Sequence, residues 1–168
     1  DASTSEETYM EVIRGKTAML FEASSHSAAV LAGADEVQTE ALRVFGDHLG
    51  VAFQLMDDLL DYRGDAQAMG KNVGDDLAEG KPTLPLIHAM REGTPAQAEL
   101  VRKAIQQGGS QDIESIRATV EAAGSLDYTA QLARDFAEKA IQCLSTLPAS
   151  QYRDALSELT RFAVARSN

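Results

Sequence analysis

Apolar residues recur along this chain at helical spacing and no segment alternates at period two, so the pattern predicts helices and no strands. Thr4-Ser5-Glu6-Glu7 predicts a capping box, with Glu7 three residues after Thr4, and a helix to about Leu31 ended by Gly33. Its apolar stripe is Tyr9, Val12, Ile13, Leu20, Ala23 and Val30, with Lys16 inside the stripe and Thr17 beside it. Asp35-Glu36 opens a long second helix to about Tyr62. Arg63 to Pro82 is polar and irregular, with four glycines and two lysines. A short helix follows over Thr83–Arg91, with Pro85 in its first turn. Thr94-Pro95-Ala96-Gln97 predicts another capped start, for a helix ending at Gly108-Gly109. Ser110 is expected to cap a helix to Gly124, Ser125 a longer one to about Leu147 before Pro148, and a last helix runs from about Ser150 to Arg166.

The second helix carries the unusual pattern. At 3.6 residues per turn Gln54, Asp57, Asp58 and Asp61 fall on one stripe, which Gly46, Asp47 and Gly50 extend upstream. The rest of its surface is apolar over more than half the circumference, wider than a surface helix needs, so this helix is expected to be central and its acidic stripe to face a cavity. Clustered carboxylates repel one another and lose hydration on burial, and a divalent cation relieves both penalties. Asp57 and Asp61, at i and i+4, can converge on one ion, and magnesium typically takes one or two carboxylates and completes its shell with water and phosphates. A solvated acidic face at a helix end fits the same spacing. Lys16 on its apolar stripe must snorkel or meet an anion. Gly46 and Gly50 suit either the approach of a ligand to the backbone or close helix packing.

Composition narrows the field. The chain has 168 residues, enough for one domain with a core. A net charge of −11 argues against non-specific binding of nucleic acid or anionic membranes, though not against a phosphorylated substrate reached through metal ions. No apolar run approaches the ~20 residues of a membrane span. Cys143 is the sole cysteine, so no internal disulfide forms, and a reducing, cytoplasmic setting is expected with Cys143 as a buried small hydrophobe. His26, His48 and His88 lack metal-ligand spacing, no Ser-His-Asp arrangement is visible, and Asp65 does not open a calcium loop. The opening Asp1-Ala2-Ser3-Thr4-Ser5 reads like the end of a linker, which suggests a piece of a longer protein.

Taken in order, Lys16-Thr17, then Phe53-Gln54-Leu55-Met56-Asp57-Asp58-Leu59-Leu60-Asp61, then Gly70-Lys71, Asp75-Asp76 and Glu79-Gly80-Lys81-Pro82-Thr83 resemble the C-terminal half of the trans-isoprenyl (polyprenyl) diphosphate synthases. The likeness covers almost the whole chain, from Tyr9 to Arg166. It implies an all-α fold, an antiparallel helical bundle of the isoprenoid synthase type around a central cavity, usually as a homodimer. It implies Mg²⁺-dependent head-to-tail condensation of isopentenyl diphosphate with an allylic diphosphate. In that reaction magnesium draws off the allylic diphosphate, the isopentenyl double bond attacks the resulting cation, and a proton is lost. By resemblance, Asp57, Asp58 and Asp61 are metal residues, with Asp58 behind the other two. Lys16, Lys71 and Lys81 contact the allylic diphosphate, Thr17 and Gln54 orient it, and Phe53 lies near the isopentenyl group. Lys16, Asp57, Asp58 and Lys71 are then the catalytic set. The family uses two facing aspartate-rich motifs and this chain has the second, so residues 1–168 are expected to be the C-terminal portion of a single synthase domain, inactive alone. The segment Gly70–Met90 looks like the long-chain members, which make quinone side chains. A shorter-chain farnesyl or geranylgeranyl synthase is the enzymatic alternative. A non-catalytic partner subunit is the other, and the retained aspartates and lysines count against it.

Overall fold

The structure, a computed structural model, describes residues 2–63, 74–108 and 113–165. Among these there is no strand, and no helix is long and apolar enough to cross a membrane. The helices are α1 (Glu6–Ile13), a π-helical turn (Arg14–Ala18), α2 (Met19–Leu31), α3 (Glu36–Arg63), α4 (Asp75–Ala78), α5 (Leu84–Glu92), α6 (Pro95–Gln107), α7 (Ile113–Ala122), α8 (Ser125–Cys143) and α9 (Gln151–Ala165), with a 3₁₀ turn at Leu144–Thr146. They divide into two compact units, residues 1–9 with 57–130, and residues 10–56 with 131–168.

In the first unit α5 packs on α6 and α7. Its buried residues include Leu59, Tyr62, Leu77, Leu84, Leu86, Val101, Ile116 and Val120. Thr94 and Gln97 close the expected box: the Gln97 amide donates to Thr94 Oγ1 (3.3 Å) and the Thr94 amide to Gln97 Oε1 (2.8 Å). Gly108 and Gly124 end α6 and α7 with left-handed φ of 60° and 66°. Gly109 and Ser110 lie outside the described residues.

Two expected caps differ. Ser5, rather than Thr4, caps α1: its Oγ accepts the Thr8 amide at 3.1 Å. Glu6, the first residue of the helix, is engaged by Arg91 (2.7 Å) and by the Tyr128 hydroxyl (2.7 Å). Ser125 does not cap α8 either. It is fully buried as the first helical residue, and its Oγ meets His88 Nδ1 at 2.9 Å, with the His88 ring stacked on Tyr128 at 4.2 Å. His88 is thus a satisfied core histidine. Within the stretch expected to be irregular, residues 75–78 form the single turn of α4.

In the second unit Phe45 and Leu49 of α3 pack with Ala140, Leu144 and Ala163, flanked by Phe21, Leu42, Cys143, Leu147 and Leu156. Cys143 is half-buried rather than buried, and burial pushes its thiol up. The stripe expected on the first helix is also displaced. Tyr9 and Ile13 are buried, but Val12, Leu20 and Val30 are 55%, 70% and 57% exposed, and Ala23 is exposed. For Leu20, Ala23 and Val30 the cause is the π-helical turn, which inserts a residue and rotates everything after it, whereas Val12, ahead of the turn, lies on the outer side of α1. The inward positions therefore run Ile13, Ala18, Phe21, Ser25 and Ala29. This new face meets Gly46 and Gly50: a Cβ on Gly50 would stand 2.5 Å from Ala18 Cα, and one on Gly46 2.5 Å from the Phe21 carbonyl. The glycines serve close packing of helix on helix.

Candidate functional site

Helix α3 holds most of the site residues because it is apolar enough to be buried along much of its length; Val51, Ala52, Leu55, Met56 and Leu59 have no solvent exposure. The polar side chains between them have fixed directions. In the second unit, the π-helical turn carries Lys16 and Thr17. The Thr17 hydroxyl donates to Gln54 Oε1 at 2.8 Å, which fixes the orientation of that amide. Phe53 is half-buried, its ring 5.5 Å from that of Phe21. Lys16 is exposed and makes no ion pair among the described residues. The turn removes it from the apolar stripe that the sequence placed it on.

In the first unit, the three aspartates separate by environment. Asp58 is 3% exposed and accepts a 2.5 Å hydrogen bond from the hydroxyl of Tyr9, itself 5% exposed. Burial first, and the Asp58 carboxylate second, push the Tyr9 phenol far above its ordinary value, so it stays a donor. Asp57 and Asp61 are half-buried. Burial, then the nearby Asp76 carboxylate, push Asp61 up to about 6, although the Asp76 amide donates to its Oδ2 at 3.3 Å. Lys81 is engaged by Asp76 (2.9 Å) and Glu79 (2.7 Å), so a substrate anion would have to draw its ammonium from these partners. Lys71 lies outside the described residues.

Among the described residues no three His, Cys, Asp or Glu side chains form a ready metal cage. The residues nevertheless fit an ion that takes two protein carboxylates. Asp57 and Asp61 are one helical turn apart, and the raised Asp61 shows a desolvated carboxyl short of positive charge. A Mg²⁺ held by one or two carboxylates, its remaining positions filled by water and phosphate, supplies that charge. Sequence reasoning missed two neighbours. Tyr9 was placed only on an apolar stripe, and nothing local pairs it with Asp58, 49 residues on. Asp76 stood in the motif without a role, and its placement over Asp61 comes from α4, the turn expected to be irregular.

Comparison with known proteins gives a consistent result. Residues 1–123 match the family model of the polyprenyl synthetases. The chain is 51% identical over 168 residues to an octaprenyl diphosphate synthase of Haemophilus influenzae, covering 99% of this chain and 51% of that protein. It is 49% identical over 163 residues to an all-trans-nonaprenyl-diphosphate synthase (geranyl-diphosphate specific) of Rhodobacter capsulatus, covering 97% and 50%. A crystal structure of a polyprenyl synthase from Caulobacter crescentus CB15, complexed with calcium and isoprenyl diphosphate, superposes with a TM-score of 0.92 at 45% identity, covering 100% of this chain and 52% of that one. The chain thus spans about half the length of each of these relatives. Its all-α architecture is that of the isoprenoid synthase fold, and the chain belongs to the polyprenyl synthetase family.

Proposed function

We propose that this chain is the C-terminal, metal- and diphosphate-handling portion of a long-chain all-trans polyprenyl diphosphate synthase of the octaprenyl type. The reaction is head-to-tail condensation of isopentenyl diphosphate with an allylic diphosphate, serving quinone side chains in the cytoplasm. The observation that carries the reading is the pair Asp57 and Asp61 on α3, half-buried one turn apart, with the Asp76 amide on Asp61 Oδ2 at 3.3 Å. Relatives with octaprenyl and nonaprenyl products support the chain-length class.

Each residue has a task that its chemistry allows. Asp57 and Asp61 hold Mg²⁺, which when bound neutralises charge developing on the departing diphosphate. Lys16, exposed and without an ion pair among the described residues, is assigned a diphosphate contact by resemblance. Thr17 aligns Gln54 as a further contact. Lys81 exchanges its carboxylate partners for diphosphate oxygens, and Lys71 is assigned the same role by resemblance alone. Phe53 is assigned a place near the isopentenyl group by resemblance alone. Asp58 stands behind Asp57 and Asp61. The first aspartate-rich motif and the product-length determinants belong to the portion of the family fold outside this chain, so residues 1–168 alone are inactive, and the complete protein is a homodimer.

The test is Asp57→Ala in a protein carrying both motifs, assayed for condensation with Mg²⁺ and both diphosphates. Turnover should fall far more than melting temperature. Turnover within about threefold of wild type, under 1 kcal/mol of barrier, removes Asp57 from the site.

A further inference from the structure

Asp58 is the one aspartate of the acidic stripe that is nearly sealed from water, at 3% exposure. A carboxylate in that position needs hydrogen bonds, and Tyr9 supplies one at 2.5 Å. The donor is itself anchored. Tyr9 lies in α1, whose first turn is tied down through Glu6 by Arg91 and by the Tyr128 hydroxyl, each at 2.7 Å, and the Tyr9 amide bonds the Ser5 carbonyl at 2.9 Å. So the phenol arrives from a separate, fixed helix.

The position matters because of helical spacing. Asp57 and Asp61 are about 40° apart around α3, whereas Asp58 lies about 100° from Asp57, at ~100° per residue. Turned outward, Asp58 would add a third negative group beside a two-carboxylate site and compete for the same cation. Turned inward, it leaves Asp57 and Asp61 to present together. We propose that Tyr9 is a positioning residue for this site: its phenol holds the Asp58 carboxylate inward, so that Asp57 and Asp61 meet a cation–diphosphate ligand as a pair. This inference rests on the reading of α3 as a metal–diphosphate site.

The test is calorimetric titration of a protein carrying both aspartate-rich motifs with Mg²⁺ in the presence of inorganic diphosphate, with a melting temperature from the same sample. Tyr9→Phe removes one oxygen and should bind at least tenfold more weakly than wild type. Because the effect acts through Asp58, the same change made in an Asp58→Asn background should alter binding less than twofold. That background removes the charge whose hydrogen bond Tyr9→Phe deletes, so a tenfold loss in the folded double variant overturns the proposal even if Tyr9→Phe alone does not fold. Tyr9→Phe binding within twofold of wild type, with or without a lower melting temperature, makes Tyr9 merely structural and overturns the proposal. So does a tenfold effect that persists beside Asp58→Asn. A wild-type protein that binds no Mg²⁺–diphosphate overturns the reading of the site itself, and the role of Tyr9 with it.

Discussion

Gly50→Ala tests how the second unit holds its part of the site. The added Cβ would lie 2.5 Å from Ala18 Cα, against 3.4 Å where ordinary contact begins. The obstacle is backbone, so nothing can rotate aside, and the two helices must part by about 0.9 Å. Overpacking of this kind costs about 1–3 kcal/mol, and the better helix propensity of Ala returns about 1 kcal/mol. A net loss of up to about 2 kcal/mol lowers the melting temperature by up to roughly 4–8 °C for a chain of this size. The same parting acts on Thr17, next to Ala18, and on Gln54, one turn beyond Gly50. Their 2.8 Å hydrogen bond would stretch to about 3.7 Å, beyond hydrogen-bond range. Diphosphate binding should therefore weaken along with stability. Gly15→Ala is the control: nothing lies within 4 Å of its Cβ, so only the propensity gain remains. Scanning calorimetry and diphosphate titration of both variants decide the point. A Gly50→Ala protein as stable as wild type, with unchanged diphosphate affinity, refutes the close-contact account.

Lys16→Met removes an exposed cation with no described ion pair, so melting should shift by no more than about 0.5 kcal/mol equivalent while diphosphate affinity falls severalfold; lost stability with intact binding returns Lys16 to a snorkelling role. Burial first and Arg91 second lower the pKa of His88, opposed by Glu92 and Glu6, so the unfolded chain takes up its proton first as pH drops. Stability is full above about pH 6.5 and declines below it toward the folded pKa. His88→Gln should flatten the melting-temperature decline between pH 7 and 5.5, and an unchanged slope refutes this. Leu20, Leu31, Leu159 and Phe162 are 70%, 87%, 55% and 65% exposed, and an apolar groove is lined by Leu20, Phe21, Phe45, Leu49, Leu156 and Leu159. The 168-residue chain should therefore self-associate in light scattering at micromolar concentration, and a strict monomer counts against that.

What the sequence revealed and what it hid divide along the range of the interactions. The capping box at Thr94 and Gln97 and the glycine stops at Gly108 and Gly124 depend on neighbours within four residues, and each was legible. The breadth of the apolar arc on α3 was legible too, because burial on several sides leaves a record in composition. The aspartate and lysine motifs were legible as a pattern, but the pattern says nothing of which carboxylate turns inward. That depends on Tyr9, 49 residues away, and on Asp76 in a four-residue helix. Ser125 misled for the same reason: a small hydroxyl before an apolar run looks like a cap until a histidine from another helix claims it.

The π-helical turn is the most instructive case. Reading at 3.6 residues per turn from Tyr9 forward placed Lys16 on the buried stripe and left the two glycines of α3 undecided. One extra residue between Ile13 and Ala18 resolves both. It turns Lys16 out to solvent, brings Thr17 against Gln54, and sets Ala18, Phe21 and Ser25 where only glycine fits opposite. No residue in Arg14–Ala18 announces the insertion, because a π-helical turn weakens local hydrogen bonding and persists only where packing or function compensates. Here the compensation is nonlocal: glycine-mediated contact with α3 on one side and the Thr17–Gln54 bond on the other. The turn thus carries Lys16 and Thr17, two of the residues to which the proposed function gives diphosphate contacts, at the place where local propensity fails.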